Sequence, residues 1–326
     1  MSEFKSFLAE DLEAYLKYRD EVGYTYRSIR WFFHTLDRYL EETGARFDQL
    51  TPLFFLEFRR AIPGEPGTAN LVFILLRGFL DYLVRMDRMD HNPLLDIPPL
   101  AQNAYIPFVF SPDQVQGLLG SIEKRVRKNE PSVFLVDLAA YTAIFLMARC
   151  GLRISEPPKL KVEDYRHDER TLYIEKTKFN KDRLIPILRD AATRIENFMS
   201  VRGAIIPKKP PTALLSTHYG RISKGLVSKA FHQAVSDIGI HHPRQAIGNI
   251  TFDHPRPHSL RHSFAVNTLR KACSKGRSPE NVLPVLAAYM GHTDYRYTMK
   301  YLKVLDAEHR GAWADFCVFH RKKDNP

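Results

Sequence analysis

A proline-rich segment at residues 91–110 divides the chain into two parts that must fold differently. It contains four prolines: Pro93, Pro98, Pro99 and Pro107. Because proline lacks a backbone donor and fixes φ, such a segment favours extended chain over helix or sheet. We therefore predict a first domain at residues 1–90, a linker at 91–104 and a second domain at 105–326, which ends in a tail at 302–326.

The first ninety residues repeat apolar side chains at steps of three and four, the period of amphipathic α-helices. One such run comprises Ile29, Phe32, Phe33, Leu36, Tyr39 and Leu40. Turn residues interrupt the pattern at Thr43-Gly44 and again at the Pro-Gly-rich stretch 63–67. This arrangement predicts a bundle of four helices with no sheet.

The second part begins with a strong helix-start signal. Ser111 precedes Pro112, and Gln114 follows three residues after the serine, which is the pattern of a capping box. An apolar run at residues 133–148 contains Asp137 and is shorter than the roughly 20 residues that a membrane span needs. We therefore predict a buried core helix that Gly151 terminates, and no membrane association.

Two short runs rich in β-formers, 171–174 and 183–187, flank a polar stretch. They predict an antiparallel hairpin. Helical periodicity returns over five segments: 189–202, 223–238, 258–271, 278–289 and 294–301. The fold class that follows is mainly α with a small antiparallel β-sheet.

The net charge of +11 comes from 48 Lys and Arg against 37 Asp and Glu, and it is unevenly distributed. Residues 1–100 contain 12 basic and 16 acidic side chains, which leaves the whole basic surplus to residues 101–326. Such a surplus indicates a polyanionic partner, of which nucleic acid is the first candidate. An acidic first domain could share that contact only by gathering arginines such as Arg27 and Arg30 on one face.

The three cysteines lie far apart, with no Cys-x-x-Cys pair, which argues against a disulfide framework or a cysteine-based zinc module. The first twenty residues mix acids with apolar side chains and lack the layout of a signal peptide. We expect a reducing location, the cytoplasm.

Four separated stretches carry candidate chemistry. Arg153 comes just after a predicted helix end, where its planar guanidinium could face a phosphate. The hairpin turn contains Lys176, Lys178, Lys181 and Arg183. His258 and Arg261 are three apart on one predicted helix face, and His292 precedes Tyr301 by nine residues. Taken alone, Arg153 and the hairpin lysines are more often solvated surface residues, and the tyrosines are more often core residues. His258 and His262 lack the glutamate of a zinc-protease motif, so a metal site is not favoured.

Taken in order, these stretches resemble the active-site set of the tyrosine recombinases, the phage-integrase and Xer-like family. The matching motifs are Gly-Leu-Arg153-x-Ser-Glu156, the hairpin lysine, His258-x-Leu-Arg261-His-Ser-Phe-Ala and Gly-His292 with a tyrosine nine residues later. The helical first domain also resembles the core-binding domain of that family. The match departs at Pro157-Pro158, where the family usually continues into a leucine-rich turn.

The resemblance implies a role for each matching residue. Arg153 and Arg261 would bind the scissile phosphate, and Glu156 would support them. Tyr301 would be the nucleophile, with His258 as its base and His292 holding the phosphate. Lys178, eight residues before Pro186 as in the family's pattern, would protonate the leaving oxygen, while Lys176, Lys181 and Arg183 would contact DNA. The chemistry would need no metal, cofactor or ATP.

The resemblance further implies a duplex DNA recombination site as partner, with a dimer on each site and a synaptic tetramer, and possible accessory or sister recombinases, in the bacterial cytoplasm or nucleoid. The tail at 302–326 would pack either on a neighbouring protomer or on its own domain. Two alternatives remain open at this level: a type IB topoisomerase-like enzyme that relaxes DNA, and a catalytically inactive DNA-binding regulator.

Overall fold

The computed structural model describes residues 3–24, 27–175, 182–207, 212–292, 294, 296–302 and 304–305, without the side chains of 27 and 28. The chain divides into two compact units, Met1–Asn103 and Ala104–Pro326. The predicted tail lies outside the described residues from position 306 onward.

The described residues of the first unit form four α-helices, as the periodicity predicts. They are α1 (Ala9–Glu21), α2 (Arg27–Thr43), α3 (Pro52–Ala61) and α4 (Pro66–Arg85). Each helix contributes fully buried side chains to one core, among them Leu12, Phe33, Phe55 and Phe79. Thr51 caps α3 by accepting a hydrogen bond from the Phe54 amide at 3.3 Å.

Much of the segment predicted as a linker packs on this first unit. Leu94 and Ile97 are buried in its core. Arg77 donates from Nε to the Leu94 carbonyl at 3.1 Å, and the Asn70 side chain makes two hydrogen bonds with the Leu100 backbone, at 2.9 and 2.8 Å. Prolines in this segment cannot donate backbone hydrogen bonds, so the carbonyl and amide groups of neighbouring residues anchor the segment instead.

The second unit, within its described residues, contains six named helices and eight short strands. Its helices are α5 (Pro112–Lys124), α6 (Pro131–Cys150), α7 (Arg189–Ile205), α8 (Lys224–Asp237), α9 (Pro257–Cys273) and α10 (Pro279–Met290). Its strands are β1 (Ala104–Ile106), β2 (Tyr165–Arg166), β3 (Thr171–Ile174), β4 (Arg183–Pro186), β5 (Ser216–Thr217), β6 (Gly220–Arg221), β7 (Gln245–Ile247) and β8 (Ile250–Phe252).

Helix α6 is the central element of this unit. It packs against α5, α7, α8 and α9, and the residues from Ala139 to Ala148 are all buried. Both α6 and α4 are long and apolar enough to cross a membrane, but each packs in the core of its unit. The prediction of a buried core helix is therefore confirmed, as is the Ser111–Gln114 capping box before α5.

The predicted hairpin forms as β3 and β4, which pair antiparallel with Leu172 opposite Ile185; β2 joins as a third strand. Two further sheets were not predicted. Strands β5 and β6 form a small pair, and β8 lies between antiparallel β7 and parallel β1. Strand β1 comes from the proline-rich segment, and its partner lies far along the chain, so no local pattern indicates the pairing.

Candidate active site

Two glycine-capped helix ends form the base of the candidate site. Gly151 ends α6 with φ +61° and Gly291 ends α10 with φ +65°, a left-handed conformation that other residues adopt at a cost. A Cβ on Gly151 would lie 2.5 Å from the Phe264 ring, and one on Gly291 would lie 3.0 Å from Arg183 Cδ. Each helix therefore ends at its glycine, and its last carbonyl groups are available to accept hydrogen bonds from nearby side chains.

Arg261, on the second turn of α9, joins these two helix ends. Its guanidinium donates to the Gly151 carbonyl at 2.7 Å and to the Met290 carbonyl. The partial negative charge at helix C-termini favours a cation there. Burial and the neighbouring Arg153 lower the pKa of Arg261 to about 9, so this side chain remains charged at neutral pH although it is only 1% exposed.

Arg153 lies beside the second helix end and is held by Glu156. Arg153 Nη1 is 2.8 Å from Glu156 Oε1, and Nη2 donates to the Gly291 carbonyl at 3.3 Å. Burial opposes ionisation of Glu156, but hydrogen bonds and charge from Arg183, with further help from Arg153, bring its pKa down to about 2. Pro157 and Pro158 begin a short 3-10 turn directly after Glu156.

Arg183 occupies a position that differs from the expectation. It was predicted to contact DNA from the hairpin turn, but its side chain is 7% exposed and its two terminal nitrogens lie 3.0 and 2.8 Å from the Glu156 oxygens. The reason is strand alternation: Arg183 shares the buried face of β4 with Ile185. Arg183 is thus a support of the arginine cluster.

The other residues that were predicted to contact DNA differ in how much of them the structure describes. Arg30 binds the Glu13 carboxylate through Nη1 at 2.8 Å, and its side chain is 12% exposed. Arg27 lies at the start of α2, with its side chain outside the described atoms. Three lysines fall outside the described residues: Lys176, Lys178 and Lys181.

The predicted histidines lie close to the arginines. His258 is in the first turn of α9, and its ring meets that of His262 edge to face with 4.6 Å between centroids. His292 directly follows Gly291, and its Nδ1 is 2.7 Å from Thr298 Oγ1. Burial and the charge of Arg261 lower the pKa of His258 to about 4 and that of His292 to about 3, so both are neutral at pH 7.

Tyr301 lies in a helical stretch at 296–302 and is 1% exposed. Burial raises the pKa of its phenol to about 12, while Arg261 and Arg153 act in the opposite direction. Its Oη is 3.0 Å from Nδ1 of His262, a residue to which the sequence reasoning gave no role in the chemistry. The signal was present, because His262 follows His258 by four and therefore shares its helix face.

The cluster combines two guanidinium groups, three neutral imidazoles and one phenol. Guanidinium groups bind phosphate oxygens in pairs of charge-assisted hydrogen bonds, and a phenol beside them can attack phosphorus. Within the described ranges, no three His, Cys, Asp or Glu side chains are grouped in a way that would hold a metal ion. The arrangement is suited to nucleophilic chemistry on a phosphodiester.

A sequence model of the phage integrase family matches residues 109–308, which include all of these side chains. The chain belongs to the phage integrase family. Similar proteins include y4rE of Sinorhizobium fredii, which carries the name of an integrase/recombinase and is 28% identical over 93% of both chains. The tyrosine recombinase XerC of Haemophilus influenzae is 31% identical over 69% of this chain and 66% of its own length.

Solved structures show the same fold. The XerH recombinase bound to a palindromic difH substrate matches with a TM-score of 0.65 and 18% identity, over 86% of this chain and 76% of that one. The integrase of the Tn1549 transposon, in complex with transposon right end DNA, matches with a TM-score of 0.65 and 18% identity, over 92% and 98%.

The phage integrase assignment confirms three predictions: the family resemblance, the mainly helical fold and the activity of a site-specific DNA recombinase. Neither the topoisomerase-like enzyme nor the inactive regulator is favoured by these comparisons.

Proposed function

We propose that this recombinase cleaves and rejoins duplex DNA through a covalent bond between Tyr301 and a 3′ phosphate. The observation that carries the proposal is that the buried Tyr301 hydroxyl lies 3.0 Å from His262, which follows Arg261 on α9. The guanidinium groups of Arg261 and Arg153 both bind carbonyls at the end of α10. Attack by the phenol oxygen forms the phosphotyrosyl bond and releases a 5′ hydroxyl. Because one ester replaces another, a second 5′ hydroxyl can reverse the step without ATP.

Arg153 and Arg261 supply the charge that the reaction needs. A phosphodiester is already anionic, and its pentacoordinate transition state gathers further negative charge on the non-bridging oxygens. Two guanidinium groups fixed beforehand by carbonyl and carboxylate partners stabilise that charge without reorganising. Glu156 binds Arg153 through Oε1 at 2.8 Å and so fixes the orientation of that guanidinium group.

The histidines would orient the reacting atoms. His292, fixed by Thr298, would donate a hydrogen bond to the phosphate and keep it in line with Tyr301. His258 is neutral and its ring contacts that of His262, so it would accept the phenol proton as the bond between the Tyr301 oxygen and phosphorus forms.

Lys178 would protonate the departing 5′ oxygen. Support comes from its described neighbours: Ile174 pairs with Arg183, and Arg183 binds Glu156. The strands that flank the lysine-containing segment are thereby attached to the arginine cluster. Lys176 and Lys181, in the same segment, would contact the DNA backbone.

The partner would be a duplex recombination site. The basic surplus of residues 101–326 would neutralise backbone phosphates. Residues 1–90 would act as a core-binding domain and residues 105–326 as the catalytic domain. Similar folds have been solved as a lambda integrase dimer on a core site and as a tetramer on a Holliday junction, which supports a dimer on each site and a synaptic tetramer. The recombinase would work in the cytoplasm or nucleoid. Accessory or sister recombinases are further candidate partners.

A suicide substrate tests the proposal. A cognate duplex, selected from a random pool by binding, carries a nick beside the scissile phosphate, so the cleaved fragment diffuses away and the covalent adduct accumulates. We expect an adduct on denaturing gels in the presence of EDTA. Tyr301→Phe should abolish it while binding, measured by fluorescence anisotropy, persists.

Tyr297→Phe is the matched control, because Tyr297 lies in the same helical stretch and is 54% exposed. It should form the adduct at the wild-type rate. An adduct that survives Tyr301→Phe, or that requires a metal ion, would refute the mechanism. Relaxation of a supercoiled plasmid that lacks the site would instead indicate a topoisomerase.

A further inference from the structure

We propose that His262 is the positioning residue for the nucleophile: its neutral imidazole accepts the hydrogen bond of the Tyr301 hydroxyl and fixes the phenol oxygen at the arginine cluster. The inference rests on the proposed role of Tyr301 as nucleophile. It adds a residue to which the family resemblance gave no task in this chain.

The contact itself is direct and enclosed. His262 Nδ1 and Tyr301 Oη are 3.0 Å apart, and both side chains are 1% exposed. The ring centroids are 5.6 Å apart at 59°, so the phenol approaches the imidazole at an angle rather than stacking on it. A buried hydroxyl needs a partner, because water cannot replace a lost one.

Helix α9 links this contact to the phosphate-binding groups. His258, Arg261 and His262 all lie in its first two turns, and His258 and His262 touch edge to face. The helix is anchored there by Ser263, whose hydroxyl accepts from the Phe110 amide at 2.7 Å. A phenol held by His262 is therefore held at a fixed distance from Arg261, on the same rigid backbone.

The surrounding charges keep His262 an acceptor. Its neighbours with an electrostatic effect are all basic: His258, Lys300, Arg256 and Arg261. Together with burial, the largest cause, they lower the pKa of His262 to about 2. At neutral pH the imidazole thus carries no extra proton. If Nδ1 accepts from the phenol, the ring proton sits on Nε2, and the oxygen lone pairs of Tyr301 stay free to face phosphorus.

Two substitutions separate positioning from packing. His262→Asn retains an acceptor near the place of Nδ1, whereas His262→Phe keeps a ring of similar size without an acceptor. The rate of adduct formation is measured in single turnover on the nicked substrate at saturating protein. We expect His262→Phe to lower this rate by about 100-fold with DNA binding unchanged, because small misplacements of a nucleophile have effects of that size. His262→Asn should recover the rate to within about 10-fold of wild type.

Nitrogen NMR of the wild-type ring gives a measurement that needs no folded His262 variant. With ¹⁵N-labelled histidine, His262 should show an unprotonated Nδ1 and a protonated Nε2, and the Nδ1 resonance should shift in Tyr301→Phe. A protonated Nδ1, or an Nδ1 resonance that does not shift in Tyr301→Phe, would overturn the proposal.

The kinetic outcomes are equally decisive. If His262→Phe cleaves as fast as wild type or faster, the contact holds the nucleophile only in the resting protein and does not position it for the reaction. If the Asn and Phe variants are equally slow, the histidine acts by packing. Failure of the broader mechanism has a different signature, an adduct that persists in Tyr301→Phe.

Discussion

Replacing Glu156 by glutamine tests whether the buried carboxylate holds the arginine cluster together. Its oxygens contact Arg153 at 2.8 Å and Arg183 at 2.8 and 3.0 Å, with only 5% of the residue exposed. Glutamine has nearly the same shape but carries no charge. Glu156→Gln therefore leaves two guanidinium groups, one of them buried, without their counterion.

The magnitude follows from the ionisation of this group. Its pKa falls from an ordinary 4.5 to about 2 in the folded protein, and at ~1.4 kcal/mol for each tenfold change in the ionisation constant this corresponds to about 3 kcal/mol. Removal of one partner from a buried ion pair typically costs about 3–5 kcal/mol, which agrees. We expect the variant to lose about 3 kcal/mol of stability at pH 7.

The same linkage sets a pH dependence. Because folding lowers the pKa of Glu156, its stabilisation is complete above about 4.5 and is lost as pH falls toward about 2. The difference between wild type and Glu156→Gln, measured by urea unfolding, should therefore shrink from pH 7 to pH 3. Glu169→Gln removes an exposed carboxylate that pairs with Arg166, and should change stability by less than about 0.5 kcal/mol. Equal stability of wild type and Glu156→Gln at pH 7, or a difference that is unchanged at pH 3, would refute this reasoning.

Three further predictions concern other parts of the chain. Gly151→Ala should lower the free energy of unfolding in urea by about 2–5 kcal/mol, because it adds left-handed strain and a 2.5 Å contact. Gly239→Ala, where φ is +68° and the space is open, should lower it by only about 1–2 kcal/mol. Equal losses in the two variants would contradict this prediction. Burial raises the pKa of the Cys150 thiol to about 12, so this cysteine should resist Ellman's reagent until the protein unfolds. A label on Cys150 in the native protein, found by peptide mapping, would contradict this prediction. Asn70→Ala should increase cleavage by chymotrypsin at Leu100 or Tyr105, because both hydrogen bonds to the Leu100 backbone are lost. An unchanged digestion pattern would count against that anchoring.

The sequence indicated most of the helical elements because their ends carry local signals. Ser111 and Gly151 mark the start of α5 and the end of α6 through their own backbone chemistry. The candidate catalytic residues were selected by their order along the chain, which resembles that of the tyrosine recombinases. For the helix ends the information lies within a few neighbouring residues, whereas for the candidate catalytic residues it lies in the order of separated motifs.

What the sequence reasoning missed depends on partners that are distant in sequence or on a face that was misjudged. Strand β1 pairs in parallel with β8, and Ala104 opposes Ile250, so the pairing has no local pattern. Arg183 was assigned to the surface although it alternates with Leu184, which is exposed, and shares the phase of Ile185, which is buried. The period-two rule would have placed Arg183 inside, but an arginine there is plausible only once Glu156 is known to lie opposite.

The carbonyls of Gly151, Met290 and Gly291 have a consequence for engineering. They hold the two arginines through main-chain oxygen, which has no side chain to exchange and no proton to lose. Directed evolution of a new target sequence can therefore vary many surrounding side chains without removing these supports. Insertions or deletions beside residues 151 and 291 are the changes such libraries should avoid, because they shift the chain itself.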